Sequence, residues 1–499
     1  NHRCLWRRSL LRRIFCSEMT ASDFQIRNLH DCHILLDISQ APHSKITMKI
    51  TRMLSGKEWM MHSILQFISI MIAARYFQIQ PSYEGTIHDL WQYLPVDVLA
   101  KYGFSSLYYI HQQPPLLNTI VIVATKLNGM VSIESFVALV MATLLLANVL
   151  LVNKIISLLF IRQLYSWVYI FFPSFALYHS WFYEPAFTLL FTNLVIWGLI
   201  DKPSRTSFSI FSGGMICLAL THGVFHPIVV LILIYTGWIL IFSKIDLGRL
   251  KYSIIALSLL PVLLMVKNIE LVRSPSLSSW AGCNLHQKVM TIGTGFDYVP
   301  KEVEGLPEIL GASKYGLASK LNANSVDFAA HCNENLKMIA AKITEREVFL
   351  TYLASVVETI RNNESVLSTE YRGAGFSPGN WGKAASYVIW ISSIKAIYSP
   401  TLLLVSLVGP ILTLLLSIRT RLFRSMLILV LIYYFAFASG HLFNGWEQMR
   451  MAYRSSFFVF LCSLLCMQYV LKFVNLYPIS RGIPQLNIMN DKHPVCLDG

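Results

Sequence analysis

The octapeptide His111-Gln112-Gln113-Pro114-Pro115-Leu116-Leu117-Asn118 carries the residue types of a polar binding element. An imidazole and several carboxamides can donate and accept hydrogen bonds there, and two prolines restrict the backbone. On this reading Pro114 and Pro115 hold the segment extended, and His111 donates to a phosphate or a sugar. Upstream, Glu84 and Asp89 supply carboxylates able to accept the proton of an attacking hydroxyl, with Asp97 a third acid of the same stretch. Arg450 and Arg454 stand four residues apart, so a helix would place both on one face. There they would bind a phosphate or diphosphate bidentately, and Glu447 would orient one of them. Tyr183, Glu184 and Arg273 are further polar residues at the ends of apolar stretches. His222 and His226 are four apart as well, but Gly223 and Pro227 argue against one regular helix holding both, so a metal pair is the lesser reading. Each of these residues also has a plainer role as a solvated loop acid, an interfacial aromatic or a snorkelling cation.

The elements that must position these residues follow from composition. Of 499 residues, 55% are hydrophobic and only 14% charged, and the mean hydropathy is +0.52. Such a balance predicts an all-α polytopic membrane protein. Windows long enough to cross a bilayer, bounded by charge, proline or glycine, fall at 59–77, 133–152, 155–172, 182–200, 207–221, 224–243, 252–270, 395–417, 424–440 and 452–474.

Basic residues set the orientation. Residues 1–57 are rich in Arg and Lys and are expected to form a poorly ordered cytoplasmic tail, with 476–499 a second tail on the same side. Ten crossings then put the short basic turns Asp201 to Arg205, Lys244 to Lys251 and Arg419 to Arg424 in the cytoplasm too. The net charge of +14 is therefore topogenic and gives no reason to expect nucleic acid as a partner. Two long segments, about 78–132 and 271–390, lie on the lumenal face. The second contains the glycosylation triplet that starts at Asn363, and it holds Cys283 and Cys332, to which one disulfide is open. No Walker motif, dinucleotide-binding motif or zinc-type CxxC pair occurs.

A signal-anchor span, an acidic first lumenal loop, a His-x-x-Pro-Pro-Leu element at His111 to Leu116 and a lumenal Glu-x-x-Arg resemble the multi-spanning GT-C glycosyltransferases. The His111 element is similar to the His-Pro-Pro-Leu type found in relatives of the protein O-mannosyltransferases and lipid A aminoarabinose transferases, with Gln112 and Gln113 intervening. Tyr183-Glu184-Pro185 and the segment from Glu447 to Arg454 also resemble elements of this group. The resemblance implies a GT-C-like membrane domain over 58–475 and inverting sugar transfer at the lumenal face of the endoplasmic reticulum membrane. It implies a polyprenyl- or dolichyl-phosphate sugar donor and a lipid, glycan or protein acceptor. It assigns the base to Asp89 or Glu84, and lipid-phosphate contacts to Arg450 and Arg454, with Arg273 or His111 as further contacts. The first-loop acids are not an adjacent Asp-Glu pair, so the identity of the base and a requirement for a divalent metal (Mg or Mn) stay open. A transporter or flippase for a lipid-linked or polar solute is the rival class, and a non-catalytic subunit of a glycan assembly complex is the third.

Overall fold

A computed structural model describes residues 45–76, 83, 87, 93–171, 175, 178–290, 306–310, 324–342, 350, 408–418, 420, 422–443 and 456–473. The chain divides into two compact units. The first is Asn1–Ser55 with Ile479–Gln485, of which 45–55 are described and helical. The second, Gly56–Pro478 with Leu486–Gly499, contains the site.

Among the described residues every regular element is a helix. In chain order they are α1 (Lys45–Tyr76), α2 (Val96–Tyr102), α3 (Leu116–Leu127), α4 (Ile133–Leu158), α5 (Leu164–Ile170), α6 (Glu184–Ile200) and α7 (Arg205–Thr221). They continue with α8 (Pro227–Gly237, prolonged by a π-turn Trp238–Phe242), α9 (Leu250–Val272), α10 (Ala281–Met290) and α11 (Val326–Lys342). The last three are α12 (Val408–Ser417), α13 (Phe423–Phe443) and α14 (Ser456–Phe473). Two of these, α4 and α9, are long and apolar enough to cross a membrane; the expected spans at 59–77, 182–200, 207–221, 224–243, 424–440 and 452–474 overlap other helices, and residues 395–407 of the span at 395–417 lie outside the described residues. Tyr252, Ile255, Leu259, Leu263 and Val266 of α9 stand exposed at helical spacing, as do Met61, Ile64, Ile68 and Ile72 of α1. Stripes of that size without protein cover fit a lipid or partner surface better than water.

One expected boundary is corrected. The apolar window 155–172 is not a separate helix: α4 runs on to Leu158, the chain turns at Phe160 with φ 54°, and α5 starts afresh at Leu164. Asn153 and Lys154 look like a loop in the sequence but lie inside α4. Asn153 donates to Gln66 Oε1 (2.5 Å) and accepts from Ser166 Oγ (2.7 Å), while Lys154 sits over the Trp59 ring. Polar groups satisfied this way no longer force a helix to end.

The ends of α6 to α9 sort into two sets. The turns after α6 and α8 meet through Arg205, which donates to the Asp246 carboxylate (3.0 Å) and carbonyl (2.6 Å). Arg424 joins them by donating to the Leu240 carbonyl. These are the three basic turns. At the far ends of the same helices, about 25 Å away along a 17-residue helix, lie Glu184, His222, His226 and Lys267.

The α6–α7 pair is close-packed at Gly198, where a Cβ would meet Phe211 N at 2.6 Å and Ser207 O at 2.7 Å. Because both neighbours are backbone, the helices themselves must part to admit a methyl group. Gly198→Ala is expected to lower stability by roughly 2 kcal/mol. Gly213→Ala on α7, with nothing within 4 Å, is expected to be neutral or slightly stabilising. Thermal unfolding of the two purified variants beside wild type checks the contrast.

Candidate functional site

The octapeptide is built into the polar end of this bundle by three other segments. Lys267, near the end of α9, donates to the carbonyls of Ile110 (2.5 Å) and Leu107 (3.4 Å), at the carbonyl end of the short helix Ser106–Tyr109. The hydroxyl-rich stretch before α10 runs beside His111 and Gln112. Ser279 N donates to His111 O (2.8 Å), Ser279 Oγ bonds His111 Nδ1 (2.9 Å), and Ser278 Oγ donates to Gln112 O (2.7 Å). Asn324, just before α11, completes the clamp. Its Oδ1 accepts from the backbone N–H of His111 (3.0 Å) and of Gln112 (3.2 Å), and its Nδ2 donates to the carbonyls of Tyr109 (3.2 Å) and Ile309 (2.9 Å). A Cys283–Cys332 disulfide joins α10 to α11, with Trp280 and Phe328 packed around it. Gly282 lets the two helices approach: a Cβ there would fall 1.8 Å from Cys332 O.

A second polar group adjoins the first. α6 begins at Glu184, with Pro185 suited to its first turn because that position needs no N–H partner. Glu184 is buried, and its Oε1 lies 4.0 Å from His222 Nε2. Val224 N donates to His222 Nδ1 (3.1 Å), so a neutral His222 carries its proton on Nε2, toward the carboxylate. Tyr93 from the first connection is fully buried beside Phe182 and donates to its carbonyl (2.5 Å). Burial, with the Glu184 charge adding, pushes the Tyr93 hydroxyl pKa well above its usual value. The two groups meet at Gly223, where a Cβ would come within 2.8 Å of the Ser278 Cβ.

Of the residues singled out in the sequence, the structure thus gathers His111, Glu184 and His222, with Tyr183 buried next to Glu184. Arg273 stands apart. It is exposed in the left-handed C-cap of α9 (φ 57°), where it ends the helix, and its side chain makes no hydrogen bond or ion pair with a described residue. His226 bonds the Pro275 carbonyl (3.0 Å) and does not face His222's partner. Among the described residues no three His, Cys, Asp or Glu side chains group as a metal site. Glu84, Asp89, Asn363, Glu447, Arg450 and Arg454 lie outside the described residues. The extended backbone expected at the prolines is corrected: Pro115 is helical (φ −79°, ψ −12°) and accepts from Thr119 N, closing the first turn of α3. A proline in the first turn of a helix supplies the right φ without a missing hydrogen bond. Asn324, Ser278 and Ser279 had not stood out in the sequence, where only the run Ser274-Pro275-Ser276-Leu277-Ser278-Ser279 marks the place.

Electrostatically this end is mixed. Burial, then the Lys267 charge, lowers the His111 pKa from 6.5 to about 3, against a smaller opposite effect of the Asn324 backbone on the ring. His111 is therefore a neutral ring at physiological pH. The unfolded chain takes up a proton near pH 6.5 that the folded chain refuses until about pH 3. The ring's share of stability is intact above pH 6.5 and lost as pH falls from there toward 3, by roughly 2 kcal/mol at pH 5. Melting curves at pH 7.5 and 5 should show this drop, and it should shrink in His111→Asn.

Nothing matches the chain among protein-family models, curated proteins or solved structures.

Proposed function

We propose that the chain is a polytopic, GT-C-like membrane glycosyltransferase of the endoplasmic reticulum membrane. It moves a sugar from a polyprenyl- or dolichyl-phosphate donor to a lipid, glycan or protein acceptor at the lumenal face. The observation that carries this reading is convergence. Residues from the first connection (the His111 side chain and the Gln112 backbone), the start of α6 (Glu184), the α7–α8 turn (His222) and the segment after α9 (Ser278, Ser279) meet at one end of apolar helices. The basic turns occupy the other end, which the positive-inside rule assigns to the cytoplasm. Sugar transfer from a lipid needs this arrangement: a polar site at the membrane boundary, within reach of a headgroup and of an acceptor hydroxyl. The outward apolar stripes of α1 and α9 support the membrane setting.

Roles follow from the chemistry. Asp89 or Glu84 takes the acceptor proton, Arg450 and Arg454 hold the lipid phosphate, and the Glu184–His222 pair fixes the donor side of the site. Membranes containing the full chain, given radiolabelled dolichyl-phosphate mannose or glucose, should transfer label to an endogenous acceptor. Asp89→Ala or Glu84→Ala, and Arg450→Ala, should lower that transfer by about 100-fold. Transfer that survives all three substitutions sinks these assignments. A transporter has one observation on its side, the buried Gln66–Asn153–Ser166 hydrogen-bond chain across α1, α4 and α5. Solute uptake into vesicles with no transfer from either donor would favour it.

A further inference from the structure

His111 and Gln112 are both wholly buried, and their backbones are fully committed: both N–H groups to Asn324, both carbonyls to Ser279 and Ser278. Their side-chain ends are not. Among the described residues, His111 Nε2, Gln112 Nε2 and Gln112 Oε1 have no hydrogen-bond partner. A buried amide that serves the fold satisfies its own donors and acceptor, because leaving them bare is costly. This one satisfies neither, although the backbone carrying it is held more firmly than most of the segment. Positioning without local use is what a ligand-reading group requires.

The chemistry of the unpartnered atoms selects the ligand. A carboxamide offers a donor and an acceptor side by side, and His111 is uncharged, so the spot has no free positive charge. The neighbouring cation, Lys267, is engaged with the carbonyls of Ile110 and Leu107. A phosphate, which only accepts hydrogen bonds at neutral pH, would satisfy Gln112 Nε2 and oppose Oε1. A hydroxyl group both donates and accepts and so matches both. We infer that Gln112, with His111 Nε2 next to it in the chain, reads the hydroxyl groups of the neutral sugar on a lipid-linked donor, while the phosphate is held elsewhere. The turn carrying the half-buried His222 and Gly223 packs on Ser278, whose hydroxyl bonds the Gln112 carbonyl. This rests on the donor reading above and narrows His111 from a phosphate or sugar contact to a sugar contact.

Full-length protein in detergent, titrated with dolichyl-phosphate mannose, dolichyl-phosphate glucose and dolichyl phosphate, tests it. Wild type should bind one of the sugar lipids about tenfold more tightly than dolichyl phosphate. In Gln112→Met, near in size and apolar, that preference should shrink to within about twofold while dolichyl phosphate binds as before. Because the amide has no partner among the described residues to lose, Gln112→Met should melt where wild type does or up to about 2 °C higher. Equal binding of all three lipids by wild type, or a sugar preference that persists in Gln112→Met, overturns the inference and leaves the donor reading standing. So does a melting point several degrees lower in both Gln112→Met and Gln112→Leu, since the amide would then be structural. Binding of none of the three lipids by wild type overturns the donor reading and this inference together.

Discussion

Asn324→Ala is expected to lower the unfolding free energy by roughly 4 kcal/mol, because one buried carboxamide closes four backbone hydrogen bonds. Alanine leaves the buried N–H groups of His111 and Gln112, the buried carbonyl of Ile309 and the partly buried carbonyl of Tyr109 without that partner. Asn324→Asp separates the two halves of the clamp. It keeps an acceptor for the two N–H groups, loses both donors and adds a buried charge, so it should cost at least as much. Denaturant unfolding measures the loss. Hydrogen exchange localises it, since the amides of His111 and Gln112 should exchange far faster than those in the middle of α6. Wild-type stability in Asn324→Ala, with both amides still protected, would contradict the clamp.

The second large effect is expected from removing the Cys283–Cys332 disulfide, which closes a separation of 49 residues. Loop-closure entropy for a span of that length corresponds to about 4 kcal/mol. Cys283→Ala/Cys332→Ala should lose that stability and release α10 from α11, and with α10 the serines that hold His111 and Gln112. The check is the response to reductant. Wild type should melt lower when reduced and the double variant should respond less, since the other described cysteines, Cys217, Cys462 and Cys466, are free thiols. Equal melting of wild type and variant under oxidising conditions would show that α10 and α11 hold together by packing alone.

How much of this was legible in the sequence depends on the range of the interaction. The windows 182–200, 207–221 and 252–270 match α6, α7 and α9 to within two residues, because proline, serine caps and basic turns mark those ends locally. The window at 155–172 failed because Asn153 is satisfied by Gln66, 87 residues away, a partner that no local pattern announces. The site divides the same way. His111, Glu184 and His222 stand out as polar residues in apolar surroundings. Asn324 and Ser279 matter only through His111, from which they are 213 and 168 residues distant. The prolines misled for a related reason: Pro114-Pro115 suits an extended strand and the first turn of a helix equally, and the packing of α3 selects the helix.

The most direct measurement of the central claim is photolabelling of membranes containing the full chain with a dolichyl-phosphate sugar carrying a diazirine on the sugar ring, followed by peptide mapping. A single lumenal donor site built from these connections predicts label on peptides that contain Gln112, His222–Gly223 or Ser278, displaced by unlabelled donor. Displaceable label found only at the opposite end of the helices, around Arg205, Asp246 and Arg424, would contradict it.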